Sequence, residues 1–134
     1  MKKLLLIIGL TMTLLLTACG GPGVVDTLKD ADSVNVYLFN SAKAVDRVVD
    51  KRVLPRAASG YHAIIDWAKK NKSDWQKTTQ MFAPVLMIEG KGFSLNVRKD
   101  YIVFTGAEGT YIRKTGINDF AWFERQLGVM DTTQ

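Results

Sequence analysis

Four short runs of apolar or alternating residues in the second half of the chain constrain its fold more than any other feature. Alternation of apolar and polar residues is the period of a half-buried strand, and Phe93, Leu95 and Val97 show it most cleanly. Pro84 interrupts the first run, so its strand is expected to begin after the proline. Turn residues between the runs are typical of hairpins and predict an antiparallel β-meander. The runs cover 81–88, 93–98, 101–105 and 110–115.

Helical spacing is found on both sides of this meander. Residues 59–71 predict the best helix, with Ser59 as its N-cap and an apolar stripe that includes Tyr61 and Ile64. Residues 118–127 predict a closing helix, which Asn118 caps and Gly128 ends. Ile117 and Trp122 have the spacing of a hydrophobic staple across the start of that helix.

The first half of the chain gives a less regular pattern. Residues 24–32 suit a short helix or an irregular arm, and residues 33–40 predict a strand that is apolar on both faces. Residues 41–54 then show helical spacing, with valines on one side and charged residues on the other, and Pro55 ends the segment. The Ser-x-x-Gln sequence at 73–76 has the form of a capping box and predicts a short helix or turn.

These elements together predict an α+β fold, because the strands are grouped rather than alternated with helices. We expect an antiparallel sheet of four to five strands, with two to three helices packed on one face and the other face partly open.

The first residues predict a secretory leader. Lys2 and Lys3 precede an apolar stretch from Leu4 to Leu16, which is shorter than the roughly 20 residues of a membrane-spanning helix. The residues that follow, Leu16-Thr17-Ala18-Cys19, resemble a bacterial lipobox, and Cys19 is the only cysteine of the chain. The resemblance is confined to this leader, and no family is recognised from the residues of the domain behind it.

The lipobox resemblance implies cleavage before Cys19, a diacylglyceryl thioether on its sulfur and an amide-linked third acyl chain such as palmitate. The expected organisation is a signal peptide at 1–18, an acylated tether at 19–23, one domain at 24–128 and a frayed tail at 129–134. Gly20, rather than an aspartate, follows the cysteine, which implies the outer membrane facing the periplasm. In a Gram-positive source, the location would be the outer face of the plasma membrane.

Composition limits the classes of function. Removal of residues 1–18 from the 134-residue chain leaves 116 residues and a net charge of +3, since two lysines leave with the signal. The charge and the expected compartment argue against a nucleic-acid partner. A disulfide scaffold is excluded, because the single cysteine is assigned to lipid.

Catalytic and metal-binding patterns are weak, and the chain is predicted to be no enzyme and to need no cofactor besides the acyl groups on Cys19. His62 and Asp66 lie four residues apart on the long helix, but no nucleophile motif accompanies them. Zinc requires several histidine or cysteine ligands, and His62 is the only histidine. An envelope enzyme would need acids around His62 or Glu89.

The aromatic residues are the remaining indication of function, because exposed Trp, Tyr and Arg side chains are favoured in protein interfaces. Candidate binding residues are Tyr61, Trp67, Trp75, Arg98 and Arg113. The leading hypothesis is a membrane-anchored envelope lipoprotein that binds another protein as an adaptor. One alternative is an immunity or exclusion lipoprotein that neutralises a toxin or phage component. The other is a carrier of a lipid or small apolar ligand in a pocket lined by Met81, Met87, Phe93 and Phe104.

Overall fold

The computed structural model describes residues 22–40, 47–116 and 118–129 of the chain. The described residues form three helices and seven strands. The helices are α1 (Val24–Asp30), α2 (Ser59–Lys70) and α3 (Asp119–Leu127). The strands are β1 (Ser33–Asn40), β2 (Arg47–Pro55), β3 (Gln76–Thr78), β4 (Leu86–Gly90), β5 (Phe93–Val97), β6 (Tyr101–Gly106) and β7 (Gly109–Lys114). None of these three helices combines the length and apolar character needed to cross a bilayer. The predicted signal peptide and Cys19 lie outside the described residues.

All seven strands belong to one sheet, in the order β2-β1-β4-β5-β6-β7-β3, and every neighbouring pair is antiparallel. The predicted meander is present as β4 to β7, and β4 begins after Pro84 as expected. The predicted number of four to five strands is too low. The two additional strands, β2 and β3, form the edges of the sheet.

Strand β2 lies where a helix was predicted over 41–54, and residues 41–46 of that prediction lie outside the described residues. The register explains the error. Phe39 faces Val48 while Leu38 faces Asp50, so Val49 is an extra residue in a β-bulge. The bulge shifts the strand's alternation by one residue, which leaves valines at a spacing that also fits a helix. Valine favours strands over helices, and pairing with β1 decides between the two.

The hydrophobic core lies on one face of the sheet, beneath all three helices. Val36, Ile88 and Leu95 come from adjacent strands in register and are at most 1% exposed. The helices cover them with side chains such as Leu28 from α1 and Phe123 from α3. The α+β class and the helices on a single face therefore agree with the expectation.

The ends of α2 and α3 lie close to the predicted positions, but the predicted side-chain caps do not form at their N-termini. Ala58, not Ser59, precedes α2 as its N-cap, and no side chain caps that helix. Asn118 holds the N-cap position of α3 without a capping hydrogen bond from its side chain. Gly128 ends α3 with a left-handed φ of 66°. The proposed staple involves Ile117, which lies outside the described residues.

The boundaries of the packed domain differ from the prediction at one position. Val129 was placed in a frayed tail, but it is fully buried in the core. Its backbone N–H donates to the Glu124 carbonyl at 3.3 Å, so the turn after α3 folds back onto the helix end. Residues 130–134, the rest of the predicted tail, lie outside the described residues.

Candidate binding surface

The second face of the sheet, opposite the helices, is crossed by residues 79–85, which we call the strap. Strand β3 pairs with β7 at one edge, whereas β4 lies inside the sheet, so the strap must pass over β7, β6 and β5. The predicted capping box at 73–76 is thus replaced by the start of β3. Asp74 takes a left-handed φ of 68° just before β3.

Asn96 on β5 fastens the strap to the sheet. Its Oδ1 accepts the Val85 N–H at 3.0 Å, and its Nδ2 donates to the Ala83 carbonyl at 3.0 Å. The side chain is only 4% exposed, and it is the one buried polar residue among those described. Arg98 donates from Nη1 to the same Ala83 carbonyl, and Phe82 packs edge-on against Tyr101. Asn96 on β5 and Arg98, which directly follows that strand, therefore hold the strap through its backbone.

The strap leaves the β1–β2 side of the second face open. This apolar patch consists of Tyr37, Phe39, Val48 and Val53, which lie on the same face by register. Val48 is 43% exposed and Val53 is 63% exposed, while the two aromatic rings are half-buried with centroids 6.2 Å apart. Lys51 lies over the Tyr37 ring at 5.4 Å.

Two grooves flank the strap on this face. The first, the methionine groove, has a volume of about 290 Å³ and runs between the strap and residues of β4 to β7, including Met87 and Val103. Met81 stands at its rim with 98% of its side chain exposed. The second, the basic pocket, has a volume of about 530 Å³. It is lined by Asp74, Gln76, Tyr101, Ile112, Arg113 and Lys114.

Tyr61, one of the predicted binding residues, is buried in the core with 1% of its surface exposed. Its hydroxyl donates to the Leu28 carbonyl at 2.7 Å and thereby ties α2 to the end of α1. The prediction that Tyr61 contacts a partner is therefore wrong, because the apolar stripe of α2 carries it inward. Burial raises the pKa of its hydroxyl, a shift that Arg56 opposes and Asp32 reinforces.

We expect Tyr61→Phe to lower the free energy of unfolding by about 1 kcal/mol, since the Leu28 carbonyl loses its partner in a buried place. The tyrosine of the unfolded chain ionises before that of the folded chain, so the folded state holds more protons above the ordinary tyrosine pKa. Wild-type stability should consequently fall as the pH rises through 10 and beyond. Urea unfolding between pH 8 and 11 measures this, and a fall equally steep in Tyr61→Phe would contradict it.

The two predicted tryptophans are half-buried against the core side of the molecule. Trp67 meets Phe123 edge-on with centroids 5.0 Å apart. Trp75 donates from Nε1 to the Asn71 carbonyl at 2.9 Å, and its ring lies 6.4 Å from that of Phe104. Both indoles therefore have structural partners, and their part in binding stays a prediction.

Of the two predicted basic residues, Arg113 lines the basic pocket and Arg98 lies in the β5–β6 connection next to it. Arg98 is stacked 5.3 Å from the centre of the Tyr101 ring. Arg113 donates from Nε to the Ser73 carbonyl at 3.0 Å and from Nη1 to the Lys114 carbonyl at 3.3 Å. The meander brings the ends of β5, β6 and β7 together, which explains why two positions distant in sequence share one end of the sheet.

The residues considered for chemistry are dispersed. His62 and Asp66 are both exposed on α2, and Asp66 forms an ion pair with Lys69 at 3.9 Å. Glu89 is exposed on β4, in register with Asn35 and Ser94. Within 22–40, 47–116 and 118–129, no three His, Cys, Asp or Glu side chains are grouped so that they could hold a metal ion.

The pocket proposed for an apolar ligand does not form from its four predicted residues. Phe93 and Phe104 are 6% and 4% exposed, and they stack in the core with centroids 6.5 Å apart. Met81 and Met87 lie on the opposite face of the sheet, in the methionine groove. Alternation along the strands separates the two pairs, because Met87 is one residue out of phase with the core-facing positions.

Sequence reasoning missed the residues that organise the second face. Asn96 was read as a polar position of an alternating strand, and nothing in its local sequence indicates burial. The only sequence signal for the strap was Pro84, because this proline interrupts the apolar run at 81–88 shortly before β4 begins.

Comparisons with protein-family models, with curated proteins and with solved structures find no significant match to this chain. Function is therefore inferred from the leader sequence and from the surface described above.

Proposed function

We propose that the protein is a bacterial envelope lipoprotein, anchored by acyl chains on Cys19, whose folded domain is a non-enzymatic module that binds another protein. The leader sequence and its lipobox support the anchor. The observation that carries the binding function is the apolar patch of the second face, where Val48 and Val53 are 43% and 63% exposed beside two half-buried aromatic rings.

The form of this surface supports a protein partner. Contiguous exposed apolar side chains on a folded domain are characteristic of interaction sites. Tyr37 and Phe39 are half-buried on a strand that is paired on both sides, so ordering them in a contact would cost little conformational entropy. Met81 adds a flexible apolar side chain at the rim of the groove. The helices cover the other face of the sheet, which leaves the second face as the natural place for a partner.

The compartment follows from the leader. A lipidated Cys19 followed by Gly20 favours the periplasmic leaflet of the outer membrane in a Gram-negative cell, and the outer face of the plasma membrane in a Gram-positive one. Two or more acyl chains anchor a protein stably. An adaptor and an immunity or exclusion protein would use the same surface, and the identity of the partner distinguishes them.

Photocrosslinking in the native envelope tests the proposal. A photoreactive phenylalanine analogue in place of Val53 or Met81 should yield the same single crosslinked protein. The analogue in place of His62, which is exposed on the helical side, should not. The crosslinked complex should sediment with membranes, whereas Cys19→Ser should move it to the soluble fraction.

Equal crosslinking from all three positions, or from none, would contradict a specific partner on the second face. A Cys19→Ser protein that stays with the membranes would contradict the lipid anchor. An endogenous envelope protein as the partner supports the adaptor, and an incoming toxin or phage protein supports immunity or exclusion.

A further inference from the structure

Positive charge exceeds negative charge around the basic pocket, where four cations stand against Asp74 in the lining and Asp100 in the β5–β6 connection. Arg113 and Lys114 line the pocket, and Arg98 and Lys99 lie in the adjoining β5–β6 connection. Arg52–Asp50, Arg56–Asp32 and Lys69–Asp66 form ion pairs, and within the described part of the chain none of the four cations at the pocket is found in such a pair. Lys70 and Lys72 lie near the same end of the molecule, because Arg113 bonds to the neighbouring Ser73.

Two of the four cations are held in place by the fold. The guanidinium of Arg113 is fixed by two backbone carbonyls, and that of Arg98 is fixed by the Ala83 carbonyl and the Tyr101 ring. Such fixed positive groups lose little conformational freedom when a carboxylate binds. Lys99 and Lys114 are exposed beside them and add charge at the rim. The pocket volume of about 530 Å³ lies within the usual range for ligand sites.

The position of the pocket relative to Pro22, where the described residues begin, decides which kind of acidic partner can reach it. Pro22 and Gly23 lie beside the β6–β7 turn at 106–109, together with Asp26, Asp30 and Glu108. The basic pocket lies at the opposite ends of the same two strands, where Tyr101 pairs with Lys114. Six residues of β6 separate the two ends by roughly 17 Å.

The tether is too short to reverse this arrangement. Two residues, Gly20 and Gly21, separate Cys19 from Pro22, so the three Cα–Cα steps between them span at most roughly 11 Å. An acylated Cys19 would therefore hold the β6–β7 turn and the acidic side chains around it at the bilayer. The basic pocket would then face away from the lipid headgroups.

We propose that the basic pocket binds an acidic peptide segment of a partner protein. This inference rests on the proposed protein-binding function and names the chemistry of one contact. Carboxylates of the partner segment pair with Arg113 and Lys114 within the pocket and with Arg98 and Lys99 beside it. Charged groups on the surface also raise the rate of association, so the interaction weakens as salt is added.

Titration of the full lipidated protein in a non-ionic detergent tests this site, with fluorescent hexaglutamate as the probe and hexaglutamine as the uncharged control. Lys99→Gln/Lys114→Gln should weaken hexaglutamate binding roughly tenfold, as expected for two partly screened charge pairs. Lys29→Gln/Lys91→Gln removes the same charge from exposed positions away from the pocket and should change the affinity less than twofold. Neither pair of side chains forms an ion pair or hydrogen bond within the described residues, so both variants should fold.

Several results would overturn the acidic-peptide site. These are equal loss of affinity in the two double variants, equal binding of hexaglutamine, or release of the peptide by millimolar inorganic phosphate. Binding of the Cys19→Ser protein to phosphatidylglycerol vesicles that depends on Lys99 and Lys114 would assign the charge to a membrane instead. If the wild-type protein does not bind hexaglutamate but the analogue at Val53 still crosslinks to one partner, the acidic-peptide site alone is overturned. Loss of the crosslink overturns the protein-binding function itself.

Discussion

Replacing Asn96 by aspartate is expected to lower the free energy of unfolding by about 3 kcal/mol. The side chain is 4% exposed and uses both ends of its amide, as acceptor from the Val85 N–H and as donor to the Ala83 carbonyl. A carboxylate of the same shape keeps the first bond but faces the Ala83 carbonyl with a second acceptor. Repulsion between these oxygens, with burial of a charge, should detach the strap from β5.

Urea unfolding of the full chain at pH 7 measures this loss, with Asn118→Asp as the matched control. Asn118 is exposed and makes no capping bond with its side chain, so its replacement should change stability by less than about 0.5 kcal/mol. At acidic pH the protonated carboxyl regains an O–H donor for Ala83, and part of the lost stability should return. An Asn96→Asp protein as stable as the control would show that the strap is not held by this amide.

Gly60→Ala is expected to destabilise the protein by about 2 kcal/mol, because α2 and α3 approach each other too closely for a methyl group. A Cβ atom at Gly60 would lie 1.9 Å from the backbone oxygen of Gln126, which cannot rotate away as a side chain can. The two helices would have to separate. The shift would loosen the contact between Phe123 of α3 and Trp67 of α2.

Gly23→Ala is the control for this substitution, since a Cβ at Gly23 meets nothing within 4 Å and its φ of −74° suits alanine. We expect thermal and chemical unfolding of that variant to match the wild type within about 0.5 kcal/mol. Near-ultraviolet circular dichroism should report the disturbed Trp67 environment in Gly60→Ala only. Unchanged stability in Gly60→Ala would mean that the helices can move apart without cost.

The candidate site was predictable only in part, and particular residues show why. Arg98 and Arg113 were predicted as binding residues; Arg113 lines the basic pocket, Arg98 lies in the adjoining connection, and their part in binding stays a prediction. Tyr61 was misassigned because a tyrosine side chain can either pack in a core or contact a partner. The apolar stripe of α2 faces the sheet, and this places Tyr61 in the core. Val48 and Val53 were assigned to a helix, so their shared position on the open sheet face was not foreseen.

Several elements of the fold were predictable because their sequence signals are local. Alternation, turn residues and apolar stripes depend on neighbours within a few positions, and they defined β4 to β7, α2 and α3. The residues of the leader likewise carry the argument for an anchor at Cys19. These features need no knowledge of distant contacts, because backbone geometry sets their periods.

The edges and the second face of the sheet depend instead on contacts between distant parts of the chain. Strand β2 depends on pairing with β1 around a bulge that hides its alternation, and β3 has only three residues, too few for a pattern. The strap crosses the second face because β3 pairs at the far edge while β4 pairs inside. Asn96 is buried for that reason alone, since its hydrogen bonds join residues more than ten positions apart and no local spacing encodes them.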